Sequence, residues 1–303
     1  MQDQAERLRQ LVGKLNAVDN TEIPSAQVGN CRTVAITSGK GGVGKTNLSV
    51  NFGLALAKKG RRVLLMDADM GLANVDIMMG IIPAHSLADV LNGKKRLPEI
   101  ILEGPFGLKL IASGSGGVQE LAELNEIQRT RFLQDLLEMQ NREDVILIDT
   151  GAGLHRNVLA FALAADEVIV VTTPEPTALM DAYGMIKTIY REKQKPQVSV
   201  VVNMASSPSE GDEAGRKLVV LSKRFLSLDI NYLGSIPRDM GMVRAVKDQK
   251  PILLSSPMSP AAISISKIVD SYFSGKISSE EGNLTHFFKK VTLLFGGVNH
   301  SSG

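Results

Sequence analysis

One cysteine, Cys31, stands in 303 residues, which excludes an internal disulfide and leaves no second thiolate for a metal site. Histidine is almost as sparse: His85, His155, His286 and His300 show no ligand spacing. No run of 18 or more apolar residues occurs, so no membrane-spanning helix is expected. Residues 1–7 lack the apolar core of a signal peptide, which predicts a cytoplasmic protein. Neither sign of charge is in excess. Thirty-four Lys and Arg against 32 Asp and Glu give a net +2, which argues against a chain that wraps nucleic acid in a basic surface. The length suits one large domain or two small ones with a substantial core.

What is present is a regular alternation of strand-length apolar runs with helix-length segments. The runs are Thr33–Thr37, Val63–Met66, Leu108–Ile111, Val145–Ile148, Val168–Val171, Val198–Val202 and Tyr232–Ile236. Between most of them lie helical patterns, including Thr46–Lys59, Glu120–Met139, Ala178–Tyr190, Ala214–Phe225 and Ala261–Phe273. Continuous apolar strands are covered on both faces, and the alternation demands right-handed crossovers. The expected fold is a three-layer α/β domain over residues 31–275, built on a mainly parallel sheet. Residues 1–30 read as a short amphipathic helix with a polar linker. Residues 276–303 read as a second linker and a terminal amphipathic helix.

The chemistry concentrates after the first strand. Gly39-Lys40-Gly41-Gly42-Val43-Gly44-Lys45-Thr46 fits G-x-x-x-x-G-K-[ST], with Asn47 following in the first helical turn. Glycines let successive N–H groups curl around phosphate oxygens, and the helix N-terminus adds its positive dipole end. In such a P-loop Lys45 reaches the β/γ-phosphates and the Thr46 hydroxyl ligates Mg²⁺. Lys40 is a second lysine in the loop, with little room on the same γ-phosphate. It can project outward to phosphate held by a facing subunit, as an arginine finger does in trans; the plain alternative is a solvated loop lysine.

Asp149 ends the strand Val145–Ile148, which suits a carboxylate at the metal. Thr150 follows, where many ATPases of this loop class carry a catalytic Glu, so the attacking water needs another partner. Asp67 and Asp69 end the second strand at i, i+2 spacing, on one face of an extended segment. Asp67 is assigned to the metal region and Asp69 to orienting the water, against the alternative of two solvated strand-end carboxylates.

Taken together, S-G-K-G-G-V-G-K-T (38–46), D-A-D-M-G-L-A-N-V-D (67–76) and I-D-T-G-A-G-L (148–154) resemble the deviant-Walker MinD/ParA ATPases, over about residues 31–275. The resemblance implies two subunits sandwiching two nucleotides, with the lysine at position 40 contacting the partner's phosphates. It implies switch regions at Asp67–Asp76, with Asn74, and at Asp149–Gly153. It also places Asn203 and Pro237 to Asp239 where the family commonly frames the adenine, although Asn and Pro at strand ends are ordinary turn residues too. ATP is favoured over GTP by the same resemblance, and no guanine-reading N-K-x-D element is evident.

The two ends choose among relatives. In the last seventeen residues stand three of the nine Phe. At helical spacing Leu284, Phe287, Phe288, Val291, Leu294 and Phe295 share an arc of about 120°, flanked by Lys289 and Lys290, with Leu293 off the stripe. That profile suits a helix in the interface of an anionic membrane, present twice in a dimer. The alternative is a helix docked on its own domain, or one that docks in the monomer and is released by ATP. At the other end, Gln4, Leu8, Leu11, Val12 and Leu15 share a helical face. D-Q-A-E-R-L-R (3–9) resembles the D-Q-A-x-x-L-R element of the flagellar MinD-like FlhG (FleN) family, as do stretches 71–80, 86–93 and 203–211.

That resemblance implies binding and stimulation of the signal-recognition-particle-type GTPase FlhF, with Gln4 as an inserted amide. It also implies contact with flagellar switch-complex (C-ring) proteins at residues the sequence does not mark. Division-site MinD proteins normally lack the N-terminal element. A DNA-partitioning ParA would want a basic surface. A metallocluster relative would need more thiolates than Cys31 offers, even from a dimer.

Overall fold

The computed structural model describes residues 31–69, 74–114, 142–193 and 196–274, with single helical positions between 128 and 139 and at 287, 290 and 291. Its strands are β1 (Arg32–Ser38), β2 (Val63–Ala68), β3 (Leu102–Glu103), β4 (Lys109–Ile111), β5 (Val145–Ala152), β6 (Glu167–Thr172), β7 (Gln197–Ala205) and β8 (Asn231–Pro237). Its helices are α1 (Lys45–Lys58), α2 (Val75–Met79), α3 (Leu87–Leu91), α4 (Arg156–Ala164), α5 (Pro176–Glu192), α6 (Pro208–Leu226), α7 (Met240–Lys247), α8 (Ile252–Ser255) and α9 (Pro260–Ser274).

The strands form one sheet in the order β3-β4-β2-β5-β1-β6-β7-β8. Every pairing is parallel except that of β3 with β4. The expected mainly parallel three-layer fold is therefore the observed one.

Two cores flank the sheet because side chains alternate along each strand. Ala35, Ile146, Ile148, Val168, Val170, Val198, Val200 and Val202 face one core, with α3, α4, α5 and α6. Val34, Ile36, Val145, Leu147, Ile169, Val171 and Val201 face the other, with α1 and α9. Phe52 of α1 meets Tyr272 of α9 edge-on at 5.4 Å between ring centroids. α6 starts where Ser207 accepts the Glu210 N–H at 3.2 Å, a helix cap.

After β1 the chain winds outward through β2 and β4, and β5 returns to lie between β2 and β1. The chain then proceeds to β6, β7 and β8 on the other side of β1. The reversal puts a crevice at the C-terminal end of β1, where ligands bind in open α/β sheets.

Of the expected terminal helices, Gln4 and Leu8 lie outside the described residues, as do Phe288, Leu294 and Phe295. Phe287 and Val291 are described, helical and fully buried in the core that holds α4. Phe287 stacks on Phe161 of α4 with centroids 6.2 Å apart. In this conformation two residues of the expected membrane face are packed on the domain itself.

Candidate active site

The loop from β1 to α1 is shaped by three contacts that demand glycine or fix the backbone. A Cβ on Gly39 would sit 2.3 Å from the backbone carbonyl of Asp181 in α5. Gly44 has φ +83°, the left-handed region, and a Cβ there would meet Asn203 Nδ2 at 2.3 Å. That same Nδ2 donates to the Val43 carbonyl at 2.8 Å, and Asn203 Oδ1 accepts the Met204 N–H at 2.9 Å. Asn203 thus braces the loop from the end of β7. The Leu48 N–H donates to the Gly44 carbonyl at 3.0 Å, opening the helical ladder, so the N–H groups of Lys45, Thr46 and Asn47 precede it.

The two loop lysines have different neighbours. Lys45 is buried and its Nζ lies 3.1 Å from Asp149 Oδ1, in an ion pair with a fully buried carboxylate. Ser49 Oγ donates to the same oxygen at 2.7 Å. Asp149 Oδ2 is buried and has no hydrogen-bond partner among the described residues. Lys40 points away from that cluster: its Nζ lies 3.4 Å from both Glu175 Oε2 and Thr177 Oγ1 at the start of α5.

Asp67 stands opposite Asp149 in the parallel register of β2 and β5. It accepts N–H groups from Asp69 at 3.0 Å, Asn74 at 3.0 Å and Val75 at 3.3 Å, so it organises the segment before α2. Burial and the neighbouring Asp149 charge push its pKa up to about 7, more than those three N–H groups pull it down. Asp69, one residue past β2, is half-buried, and a Cβ on Gly151 would meet its Oδ1 at 3.5 Å. Thr150, where other P-loop enzymes carry Glu, is fully buried, with its hydroxyl 3.2 Å from the Ile36 carbonyl and 2.9 Å from that of Gly151. It is a structural hydroxyl with no basic group to offer a water.

Pro237 ends β8 in register with Ala205 of β7, which brings the Asn203 and Pro237–Asp239 segments together at one corner of the crevice. The Asp239 carboxylate is already engaged, capping α7 through the Gly241 N–H at 2.7 Å and tying α9 through the Ala261 N–H at 3.1 Å. Burial alone would raise its pKa; those N–H groups hold it below the usual carboxylate range.

An Mg²⁺ bound with nucleotide needs hard oxygen donors. The residues fit: Asp149 keeps one buried oxygen uncommitted, and Thr46 sits half-buried in the first turn of α1. Among the described residues no cluster of three or more His, Cys, Asp or Glu offers a separate all-protein metal site. Cys31 lies just before β1, at the end of the strand remote from the loop, and burial pushes its thiol up to about 12. No reactive thiolate is presented there.

Sequence spacing missed two groups. Ser49 is four residues after Lys45, hence on the same face of α1, a signal that helical periodicity carries. Glu175 and Thr177, which hold Lys40, carry no signal of their own in the sequence.

Residues 30–273 match the ParA family, described as "NUBPL iron-transfer P-loop NTPase". The chain is 38% identical over 261 residues to "Antiactivator FleN" of Pseudomonas aeruginosa, covering 86% of this chain and 93% of that protein. It is 35% identical over 301 residues to "Flagellum site-determining protein YlxH" of Helicobacter pylori, covering 98% of this chain and all of that protein. Among solved structures, the MinD cell division protein of Aquifex aeolicus superposes with a TM-score of 0.63 at 26% identity, over 81% of this chain and 98% of that one.

Proposed function

The chain belongs to the MinD/ParA family of P-loop ATPases, in the flagellar branch with FleN and YlxH, and from that premise we propose that it is an ATP-driven dimerisation switch. It hydrolyses ATP with Mg²⁺ and regulates flagellar placement. The finer reading rests on one observation above all: Lys45 faces inward on Asp149 while Lys40 faces outward on Glu175 and Thr177. A loop lysine turned away from its own phosphate-facing cluster supports a role at a neighbour's.

In this reading the N–H groups at the head of α1 and Lys45 grip the phosphates, and Asn203 with the Pro237–Asp239 segment frames the base. Thr46, Asp67 and Asp149 would hold Mg²⁺, with Asp67 also organising the adjoining segment, and the bound metal would neutralise charge that develops on the β/γ-phosphates. Asp69 orients the attacking water. Lys40 leaves Glu175 and meets the triphosphate bound by a second copy, completing that site.

Residues 31–275 form the switch, and residues 1–30 and 276–303 report its state. The terminal helix docks on α4 in the monomer, as the Phe287–Phe161 stack suggests, and is released on dimerisation to bind anionic lipid at the inner face of the cell membrane. Two weak helices on one dimer gain avidity of about 100-fold or more. The burial of Phe287 and Val291 equally supports a second reading, in which this helix is a permanent part of the domain.

Sedimentation with anionic vesicles separates the two. Full-length protein is expected to pellet with a non-hydrolysable ATP analogue and stay soluble with ADP, while protein lacking residues 284–295 stays soluble in both. Pelleting that persists without those residues contradicts the lipid role.

The N-terminal segment is proposed to bind and stimulate the flagellar GTPase FlhF through Gln4 and Leu8. Removal of residues 1–20 is then expected to spare ATP turnover and abolish stimulation of that GTPase, read as phosphate release; retained stimulation contradicts the assignment. Contact with C-ring proteins follows from the flagellar reading. A division-site role of the MinD type and a DNA-partitioning role of the ParA type are the alternatives. The D-Q-A-E-R-L-R element disfavours the first, and the net charge of +2 disfavours the second.

A further inference from the structure

We propose that Ser49 is a positioning residue for Asp149, holding that carboxylate in place when Lys45 leaves it for the nucleotide. The inference rests on the nucleotide-site reading above and concerns a side chain to which that reading gives no role.

Ser49 is fully buried in α1, one turn after Lys45. A buried helical serine ordinarily satisfies itself on the carbonyl four residues back, a local contact with no functional consequence. Ser49 Oγ does lie 3.1 Å from the Lys45 carbonyl, but it lies 2.7 Å from Asp149 Oδ1, one hundred residues away. The hydroxyl has one proton to give, and the shorter contact to an ionised carboxylate takes it.

The arrangement around Asp149 is asymmetric. Oδ1 receives both Lys45 Nζ and Ser49 Oγ, while Oδ2 receives no donor among the described residues. Lys45 cannot serve two anions equally: once it turns to the β/γ-phosphates, Ser49 is the donor left on Oδ1 among the described contacts. The hydroxyl then pins one oxygen and leaves the other available to the metal. Without it, a carboxylate buried at 0% exposure would lose its remaining anchor at the stage when the metal needs it. In the nucleotide-free protein Lys45 still holds Asp149, so losing the hydroxyl should cost little there.

That difference between states gives a test independent of turnover. Fluorescent ADP is titrated against the full chain in EDTA, where no metal takes the place of the departed Lys45 at Asp149, and the nucleotide-free protein is melted in the same buffer. Ser49→Ala is expected to weaken ADP binding about tenfold, the lower end for a lost hydrogen bond to a charged group. Its nucleotide-free melting temperature should stay close to the parent's, and Ser49→Thr, which keeps the hydroxyl, should restore the affinity. Should the alanine variant fail to fold, Ser49→Cys, with its weak S–H donor, provides the same comparison. An unchanged ADP affinity overturns the proposal, and so does a loss of nucleotide-free stability as large as the loss of binding, which would make Ser49 a support of the loop alone. Failure of the parent chain to bind ADP at all would instead overturn the nucleotide site itself.

Discussion

Lys45→Ala is expected to weaken ADP and ATP binding by about 100-fold and to lower the thermal stability of the nucleotide-free protein. Both effects come from one ammonium group. In the empty site it neutralises Asp149 at 3.1 Å, with Lys45 7% and Asp149 0% exposed. Removing one partner of a buried pair costs about 3–5 kcal/mol when nothing replaces it. Ser49 remains as a donor to Asp149, so the loss should fall at or below the lower end of that range. In the proposed loaded site the same group would supply a charge-assisted contact to phosphate, and contacts of that kind are worth up to about 3 kcal/mol, or roughly two orders of magnitude in affinity. A nucleotide titration and a thermal melt on the same preparation check both. Affinity within about threefold of the parent's would mean that Lys45 is a structural partner of Asp149 and little else.

Lys40→Ala should behave in the opposite way, with folding and nucleotide affinity kept and ATP turnover lost by about 1,000-fold, the range seen when a phosphate-stabilising finger is removed. The side chain is 44% exposed and Glu175 57% exposed, and an ion pair in that setting is worth about 0–1 kcal/mol. Lys40 is therefore parked cheaply, and the contact it would make across a dimer is where its energy is realised. Sedimentation of the variant with saturating ATP and Mg²⁺ should show single copies. Asp69→Ala, which removes the carboxylate proposed to orient the attacking water, should lose turnover to a similar degree while still forming the dimer, which separates assembly from chemistry. Unchanged phosphate release by Lys40→Ala would leave that lysine as a solvated loop residue.

Much of this was legible along the chain because the relevant signals are local. The strands announce themselves as apolar runs, and the Gly39–Thr46 loop follows one and opens a helix. The five-residue helices α2 and α3 are too short to establish a period, and the two-residue β3 too short to mark its antiparallel pairing. The site's working contacts are non-local: Lys45 with Asp149, Asn203 with the Val43 carbonyl, Asp239 with the Ala261 N–H. Nothing in the spacing of those residues tells which donor finds which acceptor. The terminal helix illustrates a different limit. An amphipathic stripe reads identically whether its apolar face meets lipid or protein, and only the fold reveals Phe287 against Phe161.

The most direct test of the whole account is the mass of the particle in solution. Light scattering on full-length protein with Mg²⁺ and a non-hydrolysable ATP analogue should give twice the 32.6 kDa of the chain, with ADP returning it to one copy and Lys40→Ala remaining at one copy throughout. A particle that stays at single-chain mass with the bound analogue, up to the highest attainable concentration and with anionic vesicles present, would contradict it.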